Sequence, residues 1–362
     1  VACFAYQIFG DNILADIALP ELEVGVTSNQ PDHSWSGESN PILVQENPGL
    51  TWPESAFGRN DTSFLRMNKD TFFQNIDGLA TFKVSGGQTI EWKRYDDSIS
   101  DRDMRTLLLD GAIAALFIQR GALVFRGTCI QKSDQAVLLL GSPSSGKSTL
   151  AYALLMNGWS LVSSEISTVD ASNRVHGGIY SIKLWLDVVR ALGLDANTLP
   201  VVRRGLNRFA LMPPHIPASC GAYPLRAVYI IGRNKKRASA PAENKSVEDD
   251  QDSGAEGPIN QDDDFLAIPF MSQHVALMSY RNSICFPRFY RGMEAEAQMF
   301  TNIAQLSGHN FLYRLQVPSD IKTMMASVSD LDLLDPASIH SSRSDLARSN
   351  PNVQASHLDG LK

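Results

Sequence analysis

The stretch Leu138-Leu139-Leu140-Gly141-Ser142-Pro143-Ser144-Ser145-Gly146-Lys147-Ser148-Thr149-Leu150 holds the residues best suited, by type and spacing, to do chemistry. It fits G-x-x-x-x-G-K-[ST], a phosphate-cradling loop, with an apolar run (Ala136 to Leu140) before it and a helix expected over Ser148 to Asn157 after it. Glycines at 141 and 146 tolerate unusual dihedrals and bring no side chain into the cradle, so the loop's N–H groups can converge on one anion. The positive end of the following helix adds to the attraction. Candidate nucleotide contacts are therefore Gly141, Ser142, Pro143, Ser144, Ser145, Gly146, Lys147, Ser148 and Thr149. Lys147 would reach the β- and γ-phosphates and the Ser148 hydroxyl would help hold Mg²⁺, which makes ATP and Mg²⁺ the expected ligands.

Such a loop does not choose between a motor, a switch and a kinase. ATPases and GTPases add an apolar strand that ends in a metal-supporting acid. Here the candidate Val228-Tyr229-Ile230-Ile231-Gly232-Arg233 ends in Gly and Arg. A better-placed acid is Glu165, just past the apolar run Trp159 to Val162. Strand, helix and strand at this length imply a parallel crossover, and a parallel neighbour would deliver Glu165 beside the loop to hold Mg²⁺ or accept a hydroxyl proton. Arg203, Arg204 and Arg208 could clamp phosphate or a peptide substrate, or form a solvated basic patch; Lys183 leaves the same choice open.

The elements that must position these groups follow from patterning. Residues 1–100 alternate short apolar segments with turns: strands are expected at Phe4 to Phe9, Ile13 to Leu19, Phe64 to Met67, Leu79 to Val84 and Thr89 to Trp92, with Thr27 to Trp52 an irregular loop. A β-rich N-terminal domain is thus predicted. Residues 101–335 form a second domain, which opens with a helix over Asp101 to Gln119, capped by Ser100 or Asp101, and a strand over Ala122 to Ile130. Ile179 to Leu184 and Ala227 to Ile231 are further strands; Trp185 to Leu192, Met293 to Leu306 and Ser319 to Ala326 are helices. The acidic stretch 239–264 predicts a disordered insertion, entered through the basic Arg233-Asn234-Lys235-Lys236-Arg237, and 336–362 a disordered tail.

Composition excludes some classes. The chain has 362 residues, 43% of them hydrophobic, and a net charge of -7. With a pI near 5.5, it has no electrostatic footprint for nucleic acid. Its four cysteines and seven histidines show no zinc spacing, which suits reduced thiols in a cytoplasm. No run predicts a membrane span or a leader.

Beyond these patterns, the loop, its upstream strand pair and the Leu161-Val162-x-x-acid segment resemble the catalytic domain of HPr serine kinase/phosphorylase and its relatives, whose fold is similar to that of phosphoenolpyruvate carboxykinase. Ile179-Tyr180-Ser181-Ile182-Lys183-Leu184-Trp185-Leu186-Asp187 is similar to the strand and Leu-Trp-Pro-Asp segment of related kinases. Phe9-Gly10, Leu19-Pro20-Glu21-Leu22 and Phe311 to Asp320 are similar to HPr-kinase-related proteins, including those encoded with lasso-peptide tailoring systems. The resemblance implies an α/β P-loop kinase domain with a mixed sheet. It also implies γ-phosphoryl transfer to a serine hydroxyl of a peptide or small protein, and leaves homo-oligomerisation open. Two positions depart from the family. Arg126-Gly127 stands where the family's kinase/phosphorylases have His-Gly, and Ser164-Glu165 stands for a paired Asp-Asp. Arg126 cannot act as a base; it either forks onto the γ-phosphate or pairs with a strand neighbour. Forward transfer is expected and phosphorolysis is not. A nucleotide-binding pseudokinase is the alternative.

Overall fold

The computed structural model describes residues 3–24, 40–58, 60–203, 205–212, 216–233, 265–270, 272–309 and 312–340. The predicted insertion and most of the basic stretch before it lie outside these residues.

Period-two alternation builds the first sheet. Strands β1 (Phe4–Ile8), β2 (Asp11–Ala15), β3 (Glu23–Val24), β4 (Ile42–Glu46), β5 (Leu65–Met67), β6 (Thr71–Ile76), β7 (Ala80–Ser85) and β8 (Thr89–Arg94) order themselves β3-β1-β2-β4-β8-β7-β6-β5. Pairing is parallel at β2/β4 and β4/β8 and antiparallel at the others. One expectation fails here. Within the stretch taken for a loop, Ile42 to Glu46 forms an interior strand, with Ile42 and Val44 buried and Leu43 exposed. Its alternation is too short to stand out between flanking turn residues; 25–39 lie outside the described residues.

The expected helix exists but is interrupted. After α1 (Asp101–Leu107), whose Asp103 N–H donates to Ser100 Oγ at 3.2 Å, a π turn spans Leu108–Ala112 before α2 (Ile113–Gln119). Such turns insert one extra residue per turn and re-aim side chains.

The second sheet begins with another correction. The single strand expected over 122–130 is β9 (Leu123–Phe125) and β10 (Gly127–Lys132), broken at Arg126, where the chain changes partners. Then follow β11 (Gln135–Leu140), α3 (Lys147–Leu155), β12 (Ser160–Ser163), β13 (Ser167–Val169), β14 (Arg174–His176), β15 (Ile182–Trp185), α4 (Leu186–Ala191), β16 (Arg208–Leu211) and β17 (Ala222–Arg233). The described chain ends with β18 (Leu266–Pro269), α5 (Gln273–Ser283), α6 (Pro287–Gly292), α7 (Glu296–Ser307), β19 (Leu312–Val317) and α8 (Ile321–Ser327). Sheet order is β12-β10-β11-β17-β14-β13-β9, with β19 parallel to β17 and β18 antiparallel to β19. β15 and β16 make a separate antiparallel ribbon. The protein is thus α/β with mixed sheets.

β12 does run in the direction of β11 but is not its neighbour. β10 lies between them, antiparallel to both, and the parallel partner of β11 is β17. The β10–β11 hairpin is favoured by Ser133 and Asp134, both at positive φ, and takes the position a crossover strand would need.

Both faces of this sheet are buried. Along β11, Leu138 and Leu140 join a core shared with the first sheet, α2 and α5 to α7, while Val137 and Leu139 join one built with α3 and α8. The first core runs without a break across residue 100. Ile339 is buried in the second, so residues 336–340 pack against the fold and do not begin a tail; 341–362 lie outside the described residues. Among the described residues no helix is long and apolar enough to cross a membrane.

Candidate functional site

A cleft of about 620 Å³ opens over the loop between β11 and α3. The loop's shape is set by its glycines. Gly141 has φ +143°, and a Cβ there would stand 2.9 Å from the Ile231 carbonyl oxygen and 3.0 Å from Ser145 Oγ, so β17 and the loop itself exclude any side chain. Gly146 (φ +99°) leads into α3, and Ser144 adopts φ +63° without being glycine. Amides at the start of a helix have no intrahelical acceptor, so those of Lys147, Ser148 and Thr149 suit an anion at the cleft floor. Lys147 Nζ donates to the Gly141 and Ser142 carbonyls, each at 2.8 Å. Burial pushes its ammonium down to about 8; Glu165 opposes that, and Arg126 and Arg208 add to it.

Glu165 faces this loop from β12's far end. It sits in the turn to β13 at φ +66°, a left-handed conformation rare for glutamate, with a side chain only 15% exposed. Its Oε1 accepts from the Arg208 guanidinium at 2.9 Å. Burial would raise its pKa, but Lys183, Arg208, Arg126 and Lys147 together outweigh that and hold the carboxyl below the ordinary range. The neighbouring Ser164 turns away from the cleft. Its Oγ donates to the Ser181 carbonyl at 2.5 Å and its N–H to the Ile179 carbonyl at 2.9 Å, so it ties the turn to the strand region before β15.

Arg126 does have a partner, but one from the π turn in place of a strand neighbour. It lines the cleft, yet its guanidinium pairs with Asp110 at 3.0 Å and lies 4.9 Å from the Phe286 ring centroid. Burial would lower its pKa, but Asp110, Cys285 and Glu165 raise it on balance. Asp110 belongs to the π turn, which explains what that irregularity positions. The β15–β16 ribbon continues this facing wall. Leu184 faces the core, and by strand alternation Lys183 and Trp185 face the cleft, with Arg208 directly opposite Trp185.

The structure therefore brings together the loop from Pro143 to Thr149, Arg126, Glu165, Lys183 and Arg208. Gly141 and Ser142 shape the loop and accept from Lys147 instead of lining the cleft. Arg203, for which a substrate clamp and a solvated patch were both open, is not on the cleft wall, and Arg204 lies outside the described residues. Asp110 and Asn207 were not anticipated; Trp185 and Asp187 entered only through the segment similar to Leu-Trp-Pro-Asp and had no assigned role. A tryptophan just past an apolar strand and two residues from a lysine is the one local sign.

The donor set also tests the expected metal. Among the described residues no three His, Cys, Asp or Glu side chains cluster as a self-sufficient metal site. One carboxylate and one hydroxyl, Glu165 and Ser148, both on the cleft wall, match the way Mg²⁺ is held with nucleotide phosphates completing its shell. No family model matches the sequence, and no curated protein gives a significant match to it.

Proposed function

We propose that this protein is a cytoplasmic ATP-dependent serine kinase that transfers the γ-phosphoryl group to a hydroxyl of a peptide or small protein. The resemblance to HPr-kinase-related proteins, including the lasso-peptide branch, gives the acceptor class. The observation that carries the reading is Glu165, a largely enclosed carboxylate held at positive φ, facing a glycine-shaped anion loop across a cleft that also holds four cations. Among the described residues lining the cleft Asp187 is the only other acid, so these carry a net charge of four minus two, or +2, suited to a polyphosphate.

In this scheme Lys147 leaves the Gly141 and Ser142 carbonyls for the β- and γ-phosphates, and Arg126, already oriented by Asp110 and Phe286, forks onto the γ-phosphate. Ser148 and Glu165 would hold Mg²⁺, which would supply neutralisation of phosphate charge. Glu165 in the free protein is a weak base because the four cations depress its pKa. Glu165 is nonetheless the carboxylate placed to receive the serine proton as the γ-phosphoryl group is transferred. Incubation with labelled ATP, Mg²⁺ and a candidate acceptor tests the proposal: transfer that disappears in Lys147→Ala and Glu165→Gln supports it.

A second reading, a nucleotide-binding pseudokinase, is favoured by Ser164, whose neutral side chain is spent on the Ser181 carbonyl. Tight nucleotide binding with no transfer to any acceptor supports that one.

A further inference from the structure

The triphosphate accounts for only one end of the cleft. Along the ribbon wall the chemistry changes in a fixed order. Lys183 comes first, beside Glu165; Trp185 and its cross-strand partner Arg208 follow one step, about 6–7 Å, further on. Asp187 and Asn207 stand at the outer end, where the Leu186 N–H donates to the Asn207 carbonyl at 3.0 Å and holds the two segments together. Trp185 is 47% exposed, an unusual state for so large an apolar surface, and the Arg208 guanidinium lies 5.8 Å from its ring centroid. Arg208 thus bridges the carboxylate end and the aromatic end.

Two cations, then an aromatic face, then a carboxylate and an amide beyond it suit a polyphosphate chain followed by a flat heterocycle with a polar edge. We propose that Trp185, Asp187 and Asn207 form the nucleoside subsite, with the base stacked on Trp185 and its polar edge meeting the Asp187 carboxylate and the Asn207 amide. This rests on the loop binding phosphate. An acceptor peptide is the other occupant to weigh, since its hydroxyl must also reach Glu165. It has no use for Lys183 and Arg208 between that carboxylate and the aromatic, whereas a triphosphate does.

Titration calorimetry with ATP and with inorganic tripolyphosphate separates the subsite from the loop. The wild type is expected to bind ATP more tightly than tripolyphosphate. In Trp185→Ala that preference shrinks roughly ten- to hundred-fold, the scale of a lost base–aromatic stack, while tripolyphosphate affinity is unchanged and Trp185→Phe restores most of the preference. Equal binding of the two ligands by the wild type, or a preference that survives Trp185→Ala, overturns the subsite and leaves the loop reading intact. A Trp185→Ala effect confined to the KM of the acceptor assigns this wall to the peptide and equally overturns it. Failure of the wild type to bind either ligand removes the loop reading and the subsite together.

Discussion

The two walls of the cleft are built in opposite ways. The loop wall is one contiguous stretch whose shape comes from its own backbone, with Gly141 and Gly146 at positive φ and Lys147 folded onto its own carbonyls. The facing wall is assembled from Arg126, Glu165, Lys183 to Asp187 and Asn207 to Arg208, side chains far apart in the chain that meet through a hairpin, a π turn and a ribbon. The difference teaches that anion capture is local and robust here, whereas the groups that would turn capture into transfer depend on tertiary placement. Damage to the first wall should remove phosphate binding; damage to Arg126 or Glu165 on the second should spare binding and remove chemistry.

The largest effect is expected from Lys147→Ala. Nucleotide affinity should fall by about two orders of magnitude or more, because a charge-assisted contact and the loop's own cap are lost together, and calorimetry reads it directly. Near-normal ATP binding by this variant would break the comparison. Glu165→Gln should slow transfer about 10²–10³-fold with nucleotide affinity held or raised, since a proton acceptor and metal ligand goes while the four cations stay. A parallel loss of binding would mean that Glu165 merely supports the loop. Arg126→Lys keeps the charge but loses the fork, so a loss of about tenfold in kcat with KM little changed is expected.

Acidity sharpens the contrast further. Lys147 titrates at about 8 in the folded protein, so affinity for tripolyphosphate should decline as pH rises through that value, and Lys147→Arg should flatten the decline. The Glu165 pKa is depressed on folding, so its contribution to stability is present above the ordinary carboxylate value and lost as pH falls through the folded one. Acid unfolding of Glu165→Gln should accordingly be less steep than that of the wild type below about pH 4.5, the reference carboxyl value. The smallest effect belongs far from either wall. Ser100→Ala removes the α1 cap and should cost about 1 kcal/mol in denaturant unfolding, with transfer unaltered.

Particular residues show how far the sequence was legible. The phosphate-type loop, the Ser100 cap and Glu165's place at the cleft followed from the chain itself, though the route to Glu165 was partly wrong. β12 keeps the expected direction without being β11's neighbour, and the carboxylate still reaches the cleft from one strand further away. Arg203 and Arg208 look alike in sequence, yet only Arg208 lies on a strand whose alternation turns it to the cleft. The strand at Ile42 to Glu46 stayed hidden because five residues of alternation, set among turn-forming neighbours, carry too little periodicity.

What the sequence determined alone are properties fixed within a few bonds: a glycine's freedom at 141, a lysine's reach from 147, a hydroxyl cap at 100. Only the tertiary structure decided that Asp110 orients Arg126, that Arg208 holds Glu165, and that Trp185 stands open beside them. The physical reason is range. Dihedral preferences and caps act between neighbours in the chain, whereas these pairings depend on strand order and register, which the burial of both sheet faces sets across the whole fold.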